Sequence, residues 1–210
     1  MNVVGLRVVV PIANFRVAQA REFAETYTVP PPATLYGMLL SLVGEADRRR
    51  HIGAAVALAM MKSGERSVVL RTMRRVKSKK TSTDPENARP DYQELLTGLD
   101  LIVWVSAGSE EGQPLVDRVQ TALAGPHSVV RFGGLSLGES RNLIDEVRSI
   151  AAESPLDAEW LMPDENGALS LPVWVDHVGS RGTRFLSYQL RRCTLIPAEA
   201  EVWTTICPPE

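Results

Sequence analysis

Three consecutive prolines, Pro30, Pro31 and Pro32, stand immediately before a stretch with a helical period, and this junction constrains the fold more than any other feature. Proline is tolerated in the first helical turn, where its missing N–H would have no partner, so Pro32 reads as a start. From there Leu35, Met38, Leu39, Leu42 and Val43 recur at i, i+3, i+4, i+7 and i+8, which predicts one apolar stripe packed on a sheet. Gly44 is the expected C-cap. Upstream, residues 5–15 read as a central strand through the unbroken Val8, Val9 and Val10. A polar and aromatic loop, residues 19–29, is therefore pinned between a strand and an anchored helix, where binding residues tend to sit.

The rest of the chain continues in alternation. Residues 47–51, with three arginines, read as a solvated helix end. Residues 54–61 and 66–76 are expected to form a β-hairpin closed by Ser63-Gly64, with a helix as the alternative for the alanine-rich first arm. Residues 78–90 are polar and read as a projecting loop. Residues 99–106 are a strong buried strand, 114–124 a helix stopped by Gly125-Pro126, 128–132 a strand, and 142–150 a short helix. The order is strand, helix, one or two strands, basic insertion, strand, helix, strand. This βαββαβ succession is the ferredoxin-like or RRM-type arrangement, an α+β fold. Residues 156–210 alternate turns with apolar strands and are expected to pack as β-hairpins beside it.

At 210 residues the chain fits one large domain, or one domain with an appendage. A net charge of −2 gives no overall field toward nucleic acid, so any basic surface must be local. No apolar run is long enough to span a membrane, and the N-terminus reads as a strand and not a signal peptide. Cys193 and Cys207 match no metal-ligand pattern and read as unpaired buried thiols of a cytoplasmic protein. No cofactor or metal is expected.

Local basic surface exists. Residues 66–89 carry eight Lys/Arg (Arg66, Arg71, Arg74, Arg75, Lys77, Lys79, Lys80 and Arg89) against Asp84 and Glu86. Such a row neutralises phosphates and releases counterions, although charges also blunt an edge strand against aggregation. The second constellation, Arg131-Phe132-Gly133-Gly134-Leu135-Ser136-Leu137-Gly138-Glu139-Ser140, offers glycines for close backbone approach and the hydroxyls of Ser136 and Ser140. It is neither a Walker loop nor a dinucleotide fingerprint, and a plain structural turn is the competing reading. The third is aromatic: Phe15, Phe23, Tyr27 and Tyr36 surround the opening loop with Arg16 and Arg21, the combination that holds single-stranded RNA. Core packing is the expectation for Phe15 and Phe23. The tryptophans Trp104, Trp160, Trp174 and Trp203 stand in apolar strand contexts and read as core.

The stretch running from Phe23 through the prolines to Tyr36-Gly37-Met38, with Ser41 a turn later, resembles the N-terminal signature of the CRISPR-associated Cas-five family of the RAMP superfamily. The Gly133-to-Ser140 segment resembles that family's glycine-rich loop, in the correct order and about 100 residues downstream. Together with residues 91–105 the likeness covers about the first 145 residues. It implies a RAMP domain over 1–145 with a basic thumb hairpin at about 66–98, and a β-rich extension over 146–210. It implies a non-catalytic type I Cascade subunit that caps the crRNA 5′ handle. Tyr36, Ser41, Gly133, Gly134, Ser136, Leu137, Gly138 and Ser140 would lie on RNA. The implied partners are crRNA, the Cascade backbone and large subunits, and target DNA near the protospacer-adjacent motif, with no membrane. The alternative within the superfamily is a metal-independent endoribonuclease processing precursor crRNA. None of His51, His127 and His177 stands beside both a Tyr and a Lys, and each reads as a surface or turn histidine. Glu110 and Glu111 read as solvated.

Overall fold

The computed structural model describes residues 2–18, 20, 23–74 (73 and 74 by backbone alone), 87–151, 154–176, 182–197 and 201–209. Among these, β1 (Val3–Ala13), β2 (Phe23–Ala24), α1 (Pro32–Leu42), β3 (Ala55–Arg74), β4 (Ala88–Ser106), α2 (Leu115–Ala124), β5 (Glu146–Ile150), β6 (Leu156–Pro163), β7 (Leu169–Trp174), β8 (Arg184–Leu195) and β9 (Thr204–Thr205) follow in order. The result is an α+β fold: two helices and a sheet ordered β5-β1-β4-β3-β6-β8-β7, antiparallel at every neighbour on that path. No helix among the described residues is long and apolar enough to cross a membrane.

The helix after the prolines forms as expected. Pro32 occupies its first turn and Leu35, Met38, Leu39 and Leu42 are buried. Gly44 follows the cap residue with φ +68°. The apolar stripe meets Leu6, Val8 and Val10 of β1, Val56, Leu58 and Met60 of β3, and Leu99, Leu101, Val103 and Val105 of β4 in the main core. The opposite face of β3 and β4 is buried too: Ala57, Ala59, Ile102 and Trp104 pack with Ala158, Trp160 and Val202. Trp104 and Trp160 stack at 4.8 Å between ring centroids. A strand buried on both faces reads as a continuous apolar run, which is why residues 99–106 were legible.

Several expectations need correction, among them the 78–90 loop, whose residues 88–90 belong to β4 while 78–86 lie outside the described residues. The hairpin closed by Ser63-Gly64 is instead one strand, β3, whose register shifts at a bulge between Met60 and Lys62. Its partner along the whole length is β4, from Ala55↔Ser106 to Arg74↔Ala88. Gly64 and Gly98, with φ +75° and +74°, lie between the pairs Ser63↔Leu99 and Glu65↔Thr97. The polar Lys62–Glu65 sequence therefore marks a bulge and a kink in a continuing ribbon, not a chain reversal. Residues 128–132 are not a strand: Pro126–Ser128 is a single 3-10 turn followed by irregular chain. The closing strand is β5, in the stretch read as a short helix, and it pairs with β1 from Val9↔Glu146 to Gly5↔Ile150. Another concerns Phe23, which is exposed, while Phe15 is buried as expected. Trp104, Trp160 and Trp174 are core, and Trp203 is partly buried against the second cluster. Cys193 and Cys207 are free but only partly buried.

Candidate nucleic-acid interface

Two segments about 100 residues apart meet at one cleft of about 330 Å³. Its α1 wall is Ala33, Thr34, Tyr36, Gly37, Met38, Leu40 and Ser41; Ser136 and Gly138 come from the glycine bend; Val173, Trp174 and Val175 come from β7 and the residue after it; and Arg48 comes from the turn after α1. The Tyr36 hydroxyl donates to the carbonyl of Arg48 at 2.7 Å, and burial pushes its pKa up to about 12, so it stays a protonated donor.

The glycine bend is held against the end of β1 by a buried polar network. Leu137 is fully buried in the main core, so its side chain anchors the bend from beneath and presents no surface to a ligand. Asn142 donates from its side-chain nitrogen to Asn14 Oδ1 at 2.9 Å, and the Leu137 N–H donates to the Asn142 carbonyl at 3.0 Å. Asn14 Nδ2 and Gln93 Nε2 both donate to Glu139 Oε1, at 3.2 and 3.1 Å, while Arg141 donates to Gln93 Oε1 at 2.6 Å. Asn14, Gln93 and Asn142 are buried, so each polar atom must be paired inside the protein. Replacing Asn14 by alanine is expected to cost about 1–3 kcal/mol, because Asn142 and Glu139 each lose a buried partner. Urea unfolding of the variant against the parent chain measures it.

The opening loop lies beside this network. The Phe15 N–H donates to Thr26 Oγ1 at 2.7 Å, the Tyr27 N–H to the Phe15 carbonyl at 2.8 Å, and the Thr26 N–H to Glu94 Oε2 at 3.1 Å. Arg16 is exposed and reaches the Ala20 carbonyl at 3.1 Å. Tyr27 is half-buried, and burial raises its pKa. Arg21 lies outside the described residues. On the β3–β4 ribbon, Arg71 is partly exposed, Arg74 is the last residue of β3, and Arg89 pairs with Asp91 at 3.8 Å. Arg75, Lys77, Lys79 and Lys80 lie outside the described residues. Ser41 is partly exposed in the cleft; Gly133, Gly134 and Ser140 are exposed, and none of these three lines it.

No protein-family model matches the chain. The CRISPR-associated protein Cas5 of Myxococcus xanthus (strain DK1622) is 45% identical over 203 residues, covering 95% of this chain and 94% of that relative. The chain belongs to the Cas5 family. Its fold is similar to that of a chain in a CRISPR RNA-guided surveillance complex, with a TM-score of 0.64 and 16% identity over 91% of each chain. A crystal structure of a Cas protein matches with a TM-score of 0.52 and 15% identity, over 93% of this chain and 96% of that one.

Sequence reasoning missed several features of this Cas5 chain. Arg48 and Trp174 enter the cleft from segments read as a solvated helix end and as core strand. Phe132 and Val130 are almost wholly exposed beside the glycine bend. Leu70, Tyr92 and Phe23 form an exposed row across three paired strands of the ribbon, through Leu70↔Tyr92 and Phe23↔Tyr92. Strand register could not be read from residue types, so neither could this row.

His51 also departs from expectation: it lies in a turn but is fully buried. Its Nδ1 is 3.1 Å from Glu110 Oε1 and its Nε2 is 2.9 Å from Arg118 Nη1. A carboxylate can only accept and a guanidinium can only donate, so the imidazole is the neutral tautomer with its proton on Nδ1. Glu110 is buried as well, not solvated, and accepts the N–H of Leu115 at 2.8 Å, the first residue of α2. Arg118 completes the group by pairing with Glu45. His127 is exposed, and His177 lies outside the described residues.

Proposed function

We propose that this chain is a non-catalytic subunit of a CRISPR Cascade complex, in the cytoplasm, that holds the repeat-derived 5′ handle of crRNA. The observation that carries the reading is the single cleft shared by the proline-started helix and the glycine bend. Its walls offer the hydroxyls of Thr34, Ser41 and Ser136 and one cation, a surface suited to a phosphodiester chain with unstacked bases. The succession β1, α1, β3, β4, α2, β5, with sheet order β5-β1-β4-β3, supports the ferredoxin-like assignment of the RNA-binding part.

The β3–β4 ribbon then acts as a thumb. Its basic residues separate the handle from the spacer and meet the adjacent backbone subunit, and the large subunit docks nearby to read the protospacer-adjacent motif on target DNA. The non-catalytic reading is supported by His51, whose two ring nitrogens are engaged with Glu110 and Arg118 out of solvent. A general acid or base must reach its substrate, and this imidazole does not.

Co-purification with a short RNA whose 5′ end is a fixed repeat fragment tests the reading. Reversing the charges of Arg74, Arg75 and Lys77 should give a salt-sensitive loss of handle binding, of order 1 kcal/mol or more per good charged contact. Unchanged binding would remove the ribbon from the RNA path. Specific cleavage of repeat RNA in EDTA would favour the endoribonuclease instead.

A further inference from the structure

Arg48 is the one charged side chain among the described residues that line the cleft, and no carboxylate among the described residues is bonded to it. It is held at two points. Its guanidinium lies over the Trp174 ring at 4.1 Å from the centroid, and its backbone carbonyl accepts the Tyr36 hydroxyl. Trp174 is buried and meets Tyr36 at 6.4 Å between centroids, so the platform beneath the guanidinium is rigid.

We propose that Arg48, stacked on Trp174, receives one phosphate group of a single-stranded RNA, making the cleft a pocket for one nucleotide. A cation–π contact does not use up the guanidinium's N–H donors, and those donors match phosphate geometry. The remaining walls are neutral: hydroxyls from Thr34, Ser41 and Ser136, and apolar surface from Met38 and Val173. A cation with no carboxylate beside it among the described residues of the cleft favours an anion. The volume of about 330 Å³ lies at the small end of ligand pockets, which suits one nucleotide and not a duplex. This inference rests on the RNA-binding reading and extends it. It brings β7, from the C-terminal third, into the site, and it assigns a role to an arginine that lies outside every motif by which the chain was read.

The test measures binding of a repeat-derived single-stranded RNA octamer by the full chain across a salt series, with 5′-hydroxyl and 5′-phosphate forms of the RNA. Arg48→Ala should weaken binding about tenfold or more and lower the slope of log K against log salt by about 0.7, the value for one phosphate on a single strand. Arg48→Lys should keep most of the slope but bind more weakly than the parent, since charge survives and the flat stacked fork does not. If the 5′-phosphate form binds better and Arg48→Ala erases the difference, the group held is the terminal phosphate. Equal binding of the two forms, with the slope still lowered, assigns an internal phosphodiester. Arg48→Gln still covers the indole and is read by the same criteria should the alanine variant melt early. Parent affinity and parent slope in both neutral variants, with RNA binding by the parent chain intact, would overturn the pocket and leave the functional reading standing. A parent chain that binds no RNA would overturn both.

Discussion

Glu110→Ala is expected to destabilise the fold by about 1–3 kcal/mol for each of the two donors, the His51 Nδ1–H and the Leu115 N–H, that lose their acceptor. Its carboxylate is 1% exposed and serves two elements at once: the His51 imidazole, and the first N–H of α2. Without it His51 Nδ1–H has no acceptor and α2 loses the acceptor at its start, while Arg118 keeps its pairing with Glu45. Chemical denaturation gives the free energy directly. A loss below 1 kcal/mol would mean that water reaches the group and that the cluster is not structural. Glu110→Gln should fall between, since an amide oxygen still accepts both bonds without the charge.

The same cluster makes stability depend on pH with a definite sign. Burial lowers the His51 pKa below its ordinary 6.5, so the unfolded chain takes up the proton first. The contribution is complete above about pH 6.5 and declines as the pH falls below it. A further decline follows below 4.5, because the hydrogen bond from Arg118 holds the Glu45 carboxyl down to about 2. Melting temperatures between pH 8 and pH 4 should show the first decline in the parent chain, and its absence in His51→Gln.

The second large effect is expected at Gly138, where valine should disrupt the bend and abolish capture of handle RNA. Gly138 has φ +96°, a region that L side chains rarely adopt, and an added Cβ would stand 2.4 Å from the Asn14 carbonyl oxygen. The conformational strain costs about 1–3 kcal/mol, and forcing atoms into filled space costs a similar amount. The obstruction is backbone, so no side-chain rotation relieves it. Gly134→Ala is the control. There φ is not positive, and the new Cβ would meet only the end of the Leu143 side chain, at 2.8 Å, which can turn aside. Thermal stability and RNA binding read side by side should separate the two glycines. Equal tolerance at both positions would remove the bend from the RNA-binding surface.

Proximity in sequence did not reveal which side chains share the cleft. Tyr36, Ser136 and Gly138 were legible because each stands in a stretch with a local signal, an aromatic loop running into a proline-opened helix or a glycine bend, whereas Ser41 was legible only through the family likeness. Arg48 was read as solvent-facing because a run of three arginines carries no local sign that one will lie on a tryptophan far along the chain. Asn14, Gln93 and Asn142 were invisible for the same reason, since a buried amide is recognised only by partners that folding brings to it. The bulge after Met60 shows the limit on periodicity. Period-two alternation changes phase there, and with Gly64 and a polar flank the change looked like a turn.

By itself the sequence determined the start of α1, the doubly buried strand β4 and its apolar run, the α2 segment and the local excess of cations, because each follows from interactions within a few residues. Tertiary structure alone decided that β3 and β4 form one long ribbon, that β5 closes the sheet, and that β7 brings Trp174 beneath Arg48. Those outcomes depend on strand register and on charges desolvated between distant elements. Their energies exist only once the chain is folded.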